Sequence, residues 1–181
     1  MEFFGKFIVI VFFVLFLFSC VSCVSAQVYV VNETWDPFDI QFLIYSENIT
    51  GLHFSKTGDG VYFGVELFIN KAINLTCDTG VVLQSLGDDL GNAFFLNNVS
   101  DVSISGFTIE GYMRGIWAHS VSSVLIANNI LNGNSEGVWI SDSQNTDISN
   151  NIIKNGEFKG IIIHDSNNLT ISYNIIENCT E

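Results

Sequence analysis

Four segments in the second half of the chain align with one another: VSISGFTI (102–109), VLIANNIL (124–131), TDISNNII (146–153) and LTISYNII (169–176). Their central residues, Ile104, Ile126, Ile148 and Ile171, follow one another at an almost constant step. A second anchor runs in phase with the first: Gly115-Ile-Trp-Ala, Gly137-Val-Trp-Ile and Gly160-Ile-Ile-Ile. The same step taken backward from Gly115 puts Ala93-Phe94-Phe95-Leu96 in the same slot. A fixed period of this size marks a repeat architecture in which each unit buries its apolar face against its neighbours. Within each unit the apolar residues form short β-branched runs broken by Gly, Asn and Ser, and none has helical spacing long enough for a stable helix. Three short strands per unit of about 22 residues fit one coil of a parallel β-helix, in which each strand stacks about 4.8 Å from its counterpart. Leucine-rich repeats share similar periods, but they need a regular Leu-x-x-Leu-x-Leu series, and here those positions are Ile and Val.

Successive side chains of a strand point to opposite faces, so each column of the repeat can be assigned inward or outward. In the strand after the glycine, Ile116, Val138 and Ile161 face in, with Ala118, Ile140 and Ile163. Phe95, Trp117, Trp139 and Ile162 then face out, as do Asn97, His119, Ser141 and His164. In the other aligned strand, Ile104, Ile126, Ile148 and Ile171 face in, followed three positions later by Phe107, Asn129, Asn151 and Asn174. Asparagines stacked in that column predict an internal amide ladder with a structural role.

The runs Asn-Asn-Ile-Leu-Asn-Gly, Asn-Asn-Ile-Ile-Lys-Asn and Tyr-Asn-Ile-Ile-Glu-Asn, each followed by Gly and an Ile/Val-rich strand, resemble coils of right-handed parallel β-helix proteins of the pectin-lyase-like superfamily. In particular they resemble the NosD-type and carbohydrate-binding/sugar-hydrolysis repeats. The stretch from Gly60-Val-Tyr62 through Ile69-Asn70-Lys71-Ala-Ile73-Asn-Leu75 is similar to the first coil of that group. The resemblance implies an all-β, right-handed, single-stranded parallel β-helix over residues 60–181; it does not fix a function, because enzymes, adhesins and scaffolds share this coil. Residues 27–59 lack the repeat and are expected to close the N-terminal end. At Glu181 the coil has no cap, which predicts a fragment of a longer protein or association through the open C-terminal coil.

Ahead of residue 27 the chain reads as a secretory leader. Lys6 precedes an unbroken apolar run from Phe7 to Phe18, too short to span a bilayer. Val24 and Ala26 then suit the −3 and −1 positions of a signal peptidase site, giving a signal peptide over 1–26. An uncleaved anchor, or lipidation at Cys20 in Leu-Phe-Ser-Cys, are the alternatives. The leader holds Cys20 and Cys23, leaving Cys77 and Cys179, which lie more than four coils apart and are therefore not expected to pair. Acidic residues number 19 against 6 basic ones, a net charge of −13, which disfavours nucleic acid as a partner and argues against docking on anionic lipid heads. Sequons at Asn32, Asn48, Asn74, Asn98, Asn168 and Asn178 are candidate glycosylation sites on an exported surface.

The outward column Phe95, Trp117 and Trp139, with Arg114, His119, His164, Asp142 and Asp165 at its margins, is the candidate carbohydrate-binding surface: flat rings about 5 Å apart for sugars, polar groups for hydroxyls. The alternative is that a loop or another subunit covers the stripe. Asp142 and Asp165 on adjacent rungs are the only candidate catalytic carboxylates, at a spacing nearer that of retaining than of inverting glycosidases. They occupy Ser-Asp-Ser and His-Asp-Ser turns, where Asp commonly serves its own backbone. The polygalacturonase set cannot be assembled, since Asn145-Thr146-Asp147 stands alone, and the coils are short of the cations a lyase acting on acidic glycans uses. His119 and His164 are two rungs apart, about 10 Å, with no Cys or Met cluster. No metal is therefore expected, beyond a conceivable Ca²⁺ site at Asp142 and Asp165. The sequence thus points to an exported, secreted or cell-surface β-helix module that binds polysaccharide or serves as an adhesive or structural surface. A polysaccharide-degrading enzyme is the alternative.

Overall fold

The computed structural model describes residues 27–87 and 91–180; the leader, with Cys20 and Cys23, lies outside the described residues. Among these, 18 strands and one helix, α1 (Pro37–Tyr45), are arranged as three parallel sheets. The seven strands of sheet A are β1 (Gln27–Asn32), β2 (Ile49–Ser55), β5 (Ile73–Cys77), β8 (Ser100–Ser105), β11 (Ser122–Ala127), β14 (Gln144–Ser149) and β17 (Thr170–Ser172), in that order. Sheet B runs β3 (Val61–Phe63), β6 (Val82–Gln84), β9 (Thr108–Glu110), β12 (Ile130–Asn132), β15 (Ile152–Lys154) and β18 (Ile175–Glu177). Sheet C runs β4 (Leu67–Ile69), β7 (Asn92–Asn97), β10 (Arg114–His119), β13 (Glu136–Ser141) and β16 (Ile161–His164). The chain visits A, B and C in turn, so the molecule is a parallel β-helix of about seven coils.

The core is the stack of inward columns. Leu52, Leu75, Ile104, Ile126 and Ile148 are in register and fully buried, and Ile116, Ala118, Val138 and Ile140 line the sheet-C side. The N-terminal coils are wider and filled by aromatics: Phe54 packs edge-on against Tyr62 and Phe107 at 5.1 and 5.2 Å. In the last coil the inward Ile163, Ile171 and Ile176 are 42, 46 and 50% exposed, because no further rung stacks on them among the described residues. The glycine near the start of β10, repeated in β13, is required by close approach: a Cβ on Gly115 would lie 2.9 Å from the Gly137 carbonyl oxygen and 2.5 Å from Leu131.

Asn129 and Asn151 are 1 and 0% exposed and form a continuous ladder. The Asn129 backbone N–H and Nδ2 donate to Asn151 Oδ1 at 2.9 and 3.1 Å, and the same groups of Asn151 donate to Asn174 Oδ1 at 2.9 and 3.0 Å. Nδ2 of each also donates to a strand carbonyl of the coil behind it, Ile104 and Ile126 respectively. A buried polar column is thereby satisfied without water. Asn134 does the same at the B–C corner, accepting from Tyr112 N–H and donating to the Ile109 carbonyl.

Sheet A extends further toward the N-terminus than the repeat pattern reaches, since β1 and β2 pair in parallel within it. Between them, α1 lies across the end of the core. Asp36 caps it through the Phe38 N–H, Pro37 occupies its first turn, and Ile40 and Ile44 are buried. The Gln41 side-chain amide both donates to and accepts from the backbone of Phe68, standing in for a strand beside β4. Lys71 Nζ donates to the Ser46 carbonyl at the helix C-terminus.

Candidate functional site

Register places Phe95, Trp117 and Trp139 on consecutive rungs of sheet C, with Phe68 before them and Ile162 after. The ring geometry differs from the flat platform expected. Phe95 and Trp117 are stacked at 4.3 Å with 17° between planes, and Trp117 and Trp139 lie 6.4 Å apart at 47°. Rungs about 4.8 Å apart are close to aromatic stacking distance, so Phe95 and Trp117 cover each other's faces. Arg114 takes the remaining space: its guanidinium carbon lies 4.8 Å from the Trp117 centroid and 4.4 Å from that of Trp139. It is fixed there by Glu136, whose Oε2 accepts from Nε at 2.7 Å, and the two side chains are only 15 and 16% exposed. Among the described residues both indole N–H groups are buried without a partner, as is Asn92 Oδ1.

The polar margin borders a groove at the corner between sheets C and A. His119 Nδ1 lies 3.0 Å from Ser141 Oγ and 3.3 Å from Asp142 Oδ2, and His164 Nδ1 lies 2.9 Å from Asp165 Oδ2. Asp142 and Asp165 adopt positive φ of 51° and 45° in the corner turns, and Ser120 holds the same place one rung earlier at 52°. The resulting open groove of about 360 Å³ is lined by Ser120, Ser122, Asp142, Gln144, Asp165 and Asn167. Its base is a serine ladder. Ser143 Oγ accepts from the Val121 N–H and donates to the Ser141 carbonyl; Ser166 Oγ repeats this with Ser143 N–H and His164. The ladder escaped sequence reading, although its signal is there: Ser143 and Ser166 each follow the turn aspartate at the repeat spacing. The two aspartate side chains are 51 and 71% exposed, each beside its own histidine, so neither sits in the desolvated surroundings that set a general acid apart from its partner base.

The remaining candidates are dispersed. Asn48, Asn74, Asn98, Asn168 and Asn178 are exposed and Asn32 is partly so. Asn32 Oδ1 is held in a local turn by the Thr34 N–H and hydroxyl, and Asn74 Oδ1 accepts from Ser103. Cys77 and Cys179 form no disulfide among the described residues. One cluster was not anticipated: on the outer face of sheet A, His53 bridges Thr76 Oγ1 and Asp78 Oδ1, each at 3.0 Å. The Lys56 N–H and His53 hold the Asp78 carboxyl below the usual range.

Residues 43–181 match the family described as "Periplasmic copper-binding protein (NosD)". The chain belongs to the NosD family. No curated protein and no solved structure matches it. The family description raises copper, and the donor set of the described residues of this NosD-family chain does not fit it. No three His, Cys, Asp or Glu side chains converge among the described residues. His119 and His164 are separated by the Ser141 rung, and both already face aspartates. The Cys77 thiol is pushed up to about 12 by burial and by Asp78, which keeps it protonated and a poor soft-metal ligand.

Proposed function

We propose that this NosD-family β-helix is an exported module, secreted or held at the cell surface, that binds a polysaccharide chain along the C–A corner. The observation that carries this reading is the groove over Ser143, lined by hydroxyl, amide and carboxylate groups repeating at the rung spacing. A glycan offers hydroxyls in series, and a solenoid offers donors and acceptors in series; a chain lying along the axis would meet the same contacts on each rung. The aromatic column supports the site mainly as a wall, since Phe95 and Arg114 lie against Trp117 and Arg114 lies against Trp139. Sugar rings therefore dock in the corner, with the column holding the sheet-C margin rigid.

The test is retention of the exported protein on a panel of neutral and acidic polysaccharides, with Gln144→Ala and Asp142→Ala alongside and new chain ends scored in the same samples. Retention is expected, without cleavage, and it weakens at least several-fold in the variants while their circular dichroism is unchanged. Retention unaffected by either variant, or none at all, refutes the groove. The self-stacked rings and partnered Arg114 then favour a second reading, a structural rod in which the aromatic column is a stabilising ladder.

A further inference from the structure

The N-terminal end of the solenoid is closed by a helix with an unusual outer face. Ile40 and Ile44 of α1 point into the core, but Phe38, Phe42 and Tyr45, at i, i+4 and i+7, form a stripe on the opposite side and are 84, 71 and 54% exposed. Beside it runs β1, with Val28, Tyr29 and Val30 exposed by 64, 40 and 58%. Trp35, in the connection between them, is 38% exposed. At about 200 Å² per aromatic side chain, the five aromatics alone offer on the order of 600 Å². The strand edge, flanked on the outer face of sheet A by Val28 and Val30, extends this toward the roughly 800 Å² per partner of a standard protein interface. The aromatic area alone is at the upper end of the roughly 300–600 Å² of the largest apolar patch on a typical monomer.

We infer that this end is an interface with a second copy of the chain, made by β1 and the outer stripe of α1. Two features favour a protein occupant over a lipid surface. β1 is the edge of sheet A among the described residues, so one row of its backbone N–H and C=O groups lacks a strand partner. Hydrocarbon cannot satisfy such groups, whereas a strand can. The sequence of β1, QVYVVN, also carries none of the charges or prolines that guard edge strands, while Glu33, Asp36, Asp39 and Glu47 lie around the patch rather than within it. A two-fold axis through paired β1 strands would continue sheet A antiparallel across the dimer and set the two helical stripes together.

Sedimentation velocity of the protein exported from the full-length chain tests this. The expected mass is twice that of one chain, falling to one chain in the Phe38→Ser/Phe42→Ser double variant and separately in Val30→Lys. Phe38 and Phe42 contribute little to the core, so circular dichroism should not change; Val30→Lys provides an independent reading on the strand. A wild-type protein of single-chain mass overturns the inference, as does a dimer that survives both variants. Polymers that lengthen with concentration would put the contact head to tail with the C-terminal coil, and flotation on phosphatidylcholine vesicles without a dimer would assign the face to lipid. Either result also overturns it.

Discussion

Replacing Asn151 by leucine isolates what the buried amide ladder contributes, because the two side chains are similar in size and the site is fully buried. Asn151 Oδ1 is the acceptor for the Asn129 N–H, and Asn151 Nδ2 donates to the Ile126 carbonyl at 2.9 Å. Asn129 Nδ2 keeps its bond to Ile104, and Asn174 Oδ1 keeps the Asn151 backbone N–H, so two groups lose a partner outright. Each buried group left unsatisfied costs about 1–3 kcal/mol, for a loss of about 2–6 kcal/mol, offset in part by the apolar side chain gained. The assay is urea unfolding followed by far-UV circular dichroism, with Asn155→Ala as the control. Asn155 is exposed and belongs to an outer amide row with Asn132 and Asn178, but its φ of 55° disfavours alanine, so this control should cost about 1 kcal/mol. Comparable m-values are required, since repeat arrays can lose cooperativity. If Asn151→Leu lies within about 0.5 kcal/mol of wild type, or no further from it than Asn155→Ala, the ladder is not what holds these coils in register.

Gly137→Ala should destabilise by about 1–3 kcal/mol in the same assay, since its Cβ would meet Ile153 and the Gly160 carbonyl, and rungs cannot separate locally. Arg114→Ala removes the cation shared by two indoles and leaves Glu136 unpaired in a largely covered site; a loss of about 2 kcal/mol and a red shift in tryptophan emission are expected. In the native protein at pH 8, iodoacetamide should modify Cys179 well ahead of Cys77, whose thiol burial pushes up to about 12; in urea the two rates should converge. Tyr62 and Tyr112 are likewise raised by burial. For all three groups the unfolded chain ionises first, so their contribution is complete below the unfolded values, near pH 9 for the thiol and pH 10 for the phenols, and is lost as pH rises. The melting temperature should therefore fall between pH 8 and pH 11, and a flat profile would count against these burials.

Wherever the coil length is constant, the architecture could be read from the sequence. The columns through Ile104, Ile116 and Trp117 follow from the period and from strand alternation alone, and the structure gives each the face expected. Legibility stops where the period does. Leu75 pairs with Ile104 across a longer stretch of chain than separates Ile104 from Ile126, because the corners between Thr76 and Val82 and between Gln84 and Asn92 are both longer than those of the next coil. These bulges hide the fact that Leu52 and Tyr29 belong to the same column as Ile104. Hydrogen-bond register tolerates such insertions because they leave at the corners; a sequence comparison at fixed spacing does not.

The site was less legible for a different reason. A period says which residues share a column, but the angle a ring takes within it depends on what fills the space between rungs. Phe95 above Trp117 could have lain flat against the sheet, open to a sugar; a tight rung spacing and Arg114 inserted beside two indoles make stacking along the axis the better-packed choice. That choice transfers the exposed hydrogen-bonding capacity from the column to the adjoining corner. There the αL turns at Asp142 and Asp165 lift polar side chains clear of the sheet, and Ser143 and Ser166 satisfy the backbone beneath them. At this corner the Asp142 and Asp165 side chains stay 51 and 71% exposed above the serine ladder, which is why the proposed glycan reading rests on the corner and not on the column.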